Sequence, residues 1–170
     1  MVIDRGTKCF SGFHGSECNG AFPKNFLKWV EKQGWIGKER CYLCSGNIVD
    51  NEAIRVDIRQ ETNPTHCEDA TKTSLKTESF DWVMIDPPYS QELAQKLYKT
   101  GEYFKSINEF IKEASRITKK DGLILTLSYE VPKTNKELEL KAVWGIYTIP
   151  HTSFMRCFTV WKKRGEKAGR

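Results

Sequence analysis

Asp86-Pro87-Pro88-Tyr89 puts a carboxylate, the carbonyls of two imide-flanked residues and a phenol ring into one short segment. Each proline fixes φ near about −65° and restricts the residue before it, so the segment has little conformational freedom to lose on binding. Its groups suit a flat heterocycle that carries an exocyclic amine. Two acceptors take the two N–H bonds, and the ring stacks on Tyr89. The element that must position them lies immediately before. Phe80, Trp82, Val83, Met84 and Ile85 form an apolar, partly β-branched run that suits a buried strand, and the prolines stop it because neither can donate to a ladder. The expectation is a carboxylate at the carboxyl end of a strand, which is the edge where open α/β sheets bind ligands.

The chain of 170 residues is long enough for one full core and too short for two, so a single domain over 1–170 is expected. Its composition is that of a soluble globular protein, and no apolar run approaches the about 20 residues needed to span a membrane. Met1 to Gly20 lacks the apolar core of a signal peptide, which predicts a cytoplasmic protein whose six cysteines are reduced thiols. A formal net charge of +5 permits an anionic partner such as nucleic acid without demanding one.

Along the chain, residues 1–20 are rich in Gly, Ser and Cys without sustained periodicity and read as an irregular arm. Phe26, Leu27 and Val30 have helical spacing through about Gln33, with Pro23 in the first turn and Gly34 where a C-cap glycine belongs. Arg40 to Gly46 and Ile54 to Ile58 read as short strands, the second ending near Asp57, and a brief third strand fits His66 to Cys67. After Tyr89, Leu93, Leu97 and Tyr98 give helical spacing between Ser90 and Gly101. Ile107, Phe110, Ile111, Ala114 and Ile117 give a stronger amphipathic helix, capped by Ser106 with Glu109 three residues on. Lys119-Lys120-Asp121-Gly122 reads as the turn that ends it, before a strand over Leu123 to Tyr129. Lys133 to Lys141 is a short helical candidate. Ala142 to Ile149 and Met155 to Trp161 form an antiparallel hairpin, and 162–170 a basic tail.

An apolar strand followed by Asp-Pro-Pro-Tyr resembles the catalytic motif of the S-adenosylmethionine-dependent amino-methyltransferases, most of all the DNA adenine-N6 enzymes, and the order of the surrounding segments from Phe22 to Trp161 is similar too. The resemblance implies an α/β fold: a Rossmann-like class I methyltransferase sheet, mostly parallel, with an antiparallel C-terminal hairpin. It implies that Asp86, Pro87, Pro88 and Tyr89 are catalytic and that S-adenosyl-L-methionine is the cofactor, held by Phe22 and Pro23, the Cys44-Ser45-Gly46 turn, Asp57, Asp69, Ala70 and Asp86. Asp57, at the end of the second strand, is placed to accept both ribose hydroxyls. The chain departs from the pattern after Gly46, where Asn47-Ile48-Val49-Asp50 follows in place of a second glycine and a helix. Only eleven positions separate Gly46 from Asp57, against the about 20 of a full βαβ unit, so the first crossover helix is expected to be reduced to a turn.

The implied partner is nucleic acid, DNA before RNA, with a protein partner possible for target recognition because there is no room for a separate recognition domain. The implied activity is methylation of an exocyclic base amine, adenine N6 in DNA first. Methylation of adenine or guanine in rRNA or tRNA is the runner-up, and a non-catalytic nucleic-acid-binding module stands as the alternative of another class. Cys41-x-x-Cys44 with Cys9 and Cys18 invites a zinc reading, but alternate strand positions put Cys41 and Cys44 on opposite faces, so no metal is expected. His14 and His66 stay without a role.

Overall fold

A computed structural model describes residues 3–11, 22–99, 105–133, 135–149 and 155–165. Eight strands, β1 (Asp4–Ser11), β2 (Arg40–Leu43), β3 (Ile54–Asp57), β4 (His66–Cys67), β5 (Phe80–Ile85), β6 (Thr118–Ser128), β7 (Leu138–Ile149) and β8 (Arg156–Lys163), form one sheet in the order β1-β7-β8-β6-β5-β2-β3-β4. Only β8 is antiparallel to its neighbours, β6 and β7. The sheet is therefore the mostly parallel one with a closing antiparallel hairpin that the sequence predicts. From β2 the chain first steps outward to β3 and β4, then returns to place β5 on the other side of β2. That reversal is the topological switch point, the place where a crevice opens at the carboxyl edge.

Period-2 alternation divides the core. On β5, Val83 and Ile85 join Ile107, Phe110, Ile111, Ala114 and Ile117 of helix α3 (Ile107–Ile117) on one side of the sheet. Trp82 and Met84 join Phe26 and Val30 of helix α1 (Phe26–Lys32) on the other. The α1 side is an aromatic cluster in which Phe26 meets Phe158 edge-on at 5.2 Å, and Trp82 donates its indole N–H to the Trp35 carbonyl at 2.6 Å. A third helix, α2 (Gln91–Tyr98), follows the Asp86–Tyr89 loop and buries Ala94.

Between β2 and β3 no helix forms. The turn that replaces it buries Ile48 and Ala53 against the aromatic cluster and is tied down by Arg40, which donates to Asp50 at 3.3 Å and to Glu52 at 2.9 Å. The α3 capping box is present, with the Ser106 N–H donating to the Glu109 carboxylate at 2.9 Å.

Five expectations are corrected. Residues 4–11 of the supposed irregular arm are a strand, parallel to β7 at the sheet's edge; Phe10 alone of its residues with described side chains is buried, so it carries no apolar alternation to read. Gly6 lies against the Trp144 indole, where a Cβ would come within 2.7 Å of the ring. Pro23 precedes the N-cap, Asn25, instead of lying in the helix's first turn. Lys119 to Gly122 does not stop a helix ahead of a new strand; these residues bulge out within β6, where Phe80 pairs with Thr118 and Trp82 already with Leu123, and Asp121 takes the left-handed conformation at φ 64°. Lys133 to Lys141 holds no helix among the described residues, because Leu138 and Leu140 belong to β7. The basic tail is likewise shortened, since Lys162 and Lys163 are the last residues of β8; residues 166–170 lie outside the described residues. No helix among the described residues is long and apolar enough to cross a membrane.

Candidate functional site at the carboxyl edge

Three neighbouring strands deliver the site. β2 ends at Leu43 and turns through Cys44, Ser45 and Gly46, with φ of 60° at Cys44 and 51° at Gly46. A left-handed backbone at a non-glycine residue such as Cys44 is costly and is kept where the surroundings over-determine it. The Ser45 N–H is held by the Val56 carbonyl at 2.9 Å, and its side chain is fully buried with no hydrogen-bond partner for Oγ among the described residues. A buried hydroxyl without a partner, in a turn whose Ser45 and Gly46 N–H groups are already bonded within the fold, is one polar group that fits a polar ligand at this edge.

Asp57 closes β3 and is buried. Its carboxylate accepts the Gly46 N–H at 2.8 Å, which staples the turn after β2 to the end of β3. It also accepts the Arg59 backbone N–H at 2.9 Å, Arg59 Nε at 3.1 Å and Arg59 Nη2 at 3.2 Å. Sequence reasoning anticipated the acid but not Arg59, which lies only two residues beyond it.

Asp86 closes β5, next to β2 on the other side, and is partly buried. Burial pushes its carboxyl up to about 6, against the opposing pull of the Arg156 guanidinium and the Tyr89 hydroxyl. Tyr89 donates its hydroxyl to Asp86 Oδ1 at 2.6 Å, Arg156 Nη1 donates to the Tyr89 oxygen at 3.3 Å, and the Tyr89 ring stacks on Tyr129 with centroids 4.4 Å apart. Tyr129 stands just past β6 and Arg156 begins β8, so each of the two strands beyond β5 adds one residue to the loop. Neither was singled out in the sequence. The signal available was positional, an aromatic residue ending the strand that pairs with the acid-bearing one.

Burial raises the Cys44 thiol well above its ordinary value, with the negative charges of Asp57, Asp86 and Asp69 adding to the effect and Arg59 opposing it. The turn after β2 thus lies within the fields of all three acids. Asp69 is occupied locally, accepting the Thr71 N–H at 2.8 Å and the Thr71 hydroxyl at 2.7 Å, while Ala70 is buried in the core on the α3 side. Phe22 lies in the aromatic core, 5.3 Å from Phe26 and 6.3 Å from Tyr42, and Pro23 is buried beside it. Cys44 belongs to the turn and packs against the same core cluster as Cys41, so the two sulfurs are not on opposite faces as strand alternation predicts. No group of His, Cys, Asp and Glu among the described residues could hold a metal ion; Cys18 and His14 lie outside them.

The fold and this edge define a class of architecture, the Rossmann-like methyltransferase sheet. No protein-family profile matches the chain, and no curated protein sequence matches it. Solved structures do. The Escherichia coli protein yhhF, assigned as a methyltransferase, superposes with a TM-score of 0.57 at 11% identity over 84% of this chain and 85% of its own. TrmN from Thermus thermophilus gives 0.53 at 10% identity over 81% of this chain and 47% of its own. An S-adenosylmethionine-dependent methyltransferase from Methanosarcina mazei gives 0.51 at 11% identity over 80% and 98%. At these identities the likeness is one of fold.

Proposed function

We propose that this chain is an S-adenosylmethionine-dependent methyltransferase that modifies the exocyclic amine of a nucleic-acid base, adenine N6 in DNA being the first candidate. The observation that carries the reading is the acceptor loop Asp86-Pro87-Pro88-Tyr89 standing at the switch point of a methyltransferase-type sheet, one strand away from a turn with an unpartnered buried hydroxyl. S-adenosylmethionine, when bound, supplies a methyl group on a sulfonium that needs no further activation. Ser45, Gly46 and Asp57 are the residues suited to hold it. Asp86 and the Pro87 carbonyl accept hydrogen bonds from the two amine N–H groups, which draws the lone pair out of the ring and aims it, and the Tyr89–Tyr129 stack receives the face of a base that has left its helix. Positioning by these fixed groups is the main catalytic work of the chain.

The test is a transfer assay with labelled S-adenosylmethionine on double-stranded DNA, single-stranded DNA and RNA, followed by nucleoside analysis. N6-methyladenine from DNA is the expected product. A methylated guanine from RNA would move the substrate to the runner-up, and no transfer to any polynucleotide would sink the reading.

Arg156 supplies a second check on the same site. The ionised carboxylate is the stronger acceptor, so activity should fall as pH drops through about 6, the region to which burial raises Asp86. Arg156 favours the charged form, and Arg156→Gln should therefore move the acid limb of the pH–rate profile to higher pH. A limb that stays in place would remove Arg156 from the site's electrostatics.

A further inference from the structure

We propose that a basic groove on the α3 side of the sheet binds the sugar–phosphate backbone of single-stranded nucleic acid and leads it to the Asp86 crevice, an inference that rests on the proposed function for its destination but not for its existence. The groove runs between α3 and residues 133 and 135–137, which lie between β6 and β7. That segment is anchored to the helix at both ends, the Lys133 N–H donating to Asn108 Oδ1 at 3.0 Å and Ser115 Oγ donating to Glu137 Oε2 at 3.2 Å.

Charge is what singles it out. Seven basic residues and two acidic ones, Glu78 and Glu137, line the groove. The excess of five positive charges equals the formal net charge of the whole chain, so the rest of the molecule is balanced. Part of the basic lining is neutralised within the fold, Arg116 pairing with Glu113 at 2.6 Å and Lys163 with Glu78 at 3.1 Å. Lys112, Lys133, Lys136 and Arg164 are exposed and have no ion-pair partner among the described residues. Four like charges gathered in a concave wall repel one another, and such a wall focuses its potential on a passing polyanion.

Position supplies the direction. Lys133 is four residues past Tyr129, whose ring stacks on Tyr89, and the intervening Val131 is exposed. Asn108, which anchors Lys133, lies in the first turn of α3, the helix that returns from the carboxyl edge to the start of β6. One end of the groove, at Lys133 and Asn108, therefore lies toward the carboxyl edge that carries the aromatic pair, and the groove runs from there toward the opposite edge, where Arg164 follows β8. A strand whose target base stacks at the pair has its flanking phosphates directed along this wall.

The test measures binding of fluorescein-labelled 20-nucleotide single-stranded DNA and RNA by anisotropy over a range of salt, in an Asp86→Ala background so that the result does not depend on methyl transfer. Replacing Lys112, Lys133, Lys136 and Arg164 with Gln should weaken binding at least tenfold and flatten the log–log salt dependence by roughly 2 to 3, at about 0.7 for each phosphate that is no longer neutralised. Replacing Lys24, Lys28, Lys32 and Lys38 with Gln removes the same charge from the α1 side, where all four are exposed, and should change binding less than threefold. Equal losses in the two variants would overturn the groove, as would equal competition by polyglutamate of matched charge. A melting temperature within a few degrees of the parent in both variants guards against unfolding. Failure of the transfer assay alongside groove-dependent binding would reject the catalytic reading and leave this one standing.

Discussion

Asp86→Ala is expected to reduce methyl transfer by about 10²- to 10³-fold or more while leaving cofactor affinity within a few-fold of the parent. The argument is positional. Asp86 stands at the end of the strand adjacent to the β2 turn, held by the Tyr89 hydroxyl at 2.6 Å, and it is the one carboxylate of the acceptor loop. The same residue carries a stability signature that needs no substrate. Its carboxyl is raised from 3.8 to about 6 by burial, so the native state binds the proton more tightly than the unfolded chain. Native stability therefore increases as pH falls from about 6 toward 4, and the full penalty is present above 6. Asp86→Asn, which keeps an oxygen for Tyr89, should raise stability at pH 8 by about 1 to 3 kcal/mol, with the gain closing below about pH 4. Denaturation curves at the two pH values measure this directly. A variant no more stable at pH 8 than at pH 4, relative to the parent, would show that Asp86 is not strained by its surroundings, and transfer at the parental rate would remove the loop from the chemistry.

The parts of the fold that were legible in sequence are those where one residue pattern has one physical meaning. β5 could be read because both of its faces are buried and two prolines end it; α3 could be read from its apolar stripe and its Ser106–Glu109 box. The shortened crossover after Gly46 could be read from chain length alone. β1 could not, since an edge strand with one face against little else needs few apolar residues. The beginning of β7 was hidden because Leu138-Glu139-Leu140, a strand-like alternation, sits inside a run of charges that also suits a helix. In the site, acids at strand ends announce themselves, whereas Tyr129 and Arg156 matter through pairing across β6 and β8, a relation that appears only once the strand order is known.

Arg59 is the partner whose effect separates two roles for Asp57. The sequence assigns Asp57 to the ribose hydroxyls, but in the structure its two oxygens accept four N–H groups, three of them from Arg59. A diol reaching this carboxylate must displace the guanidinium or share its lone pairs. Asp57→Ala is consequently a poor probe of ligand binding by itself: it takes the carboxylate away from an arginine side chain that is 13% exposed and releases the Gly46 turn, at a cost on the order of 3 kcal/mol of stability. Arg59→Ala is the informative variant. It leaves the carboxylate with the Gly46 N–H and the backbone N–H of residue 59, and opens two acceptor positions toward the edge. If Asp57 receives the ribose, calorimetry should show S-adenosylmethionine binding several-fold more tightly to Arg59→Ala than to the parent, with Asp57→Asn weakening it by about 1.5 to 3 kcal/mol in a protein that still folds. Unchanged affinity in both would confine Asp57 to stapling the turn, and weaker binding in Arg59→Ala would transfer the ligand's anchor from the carboxylate to the guanidinium.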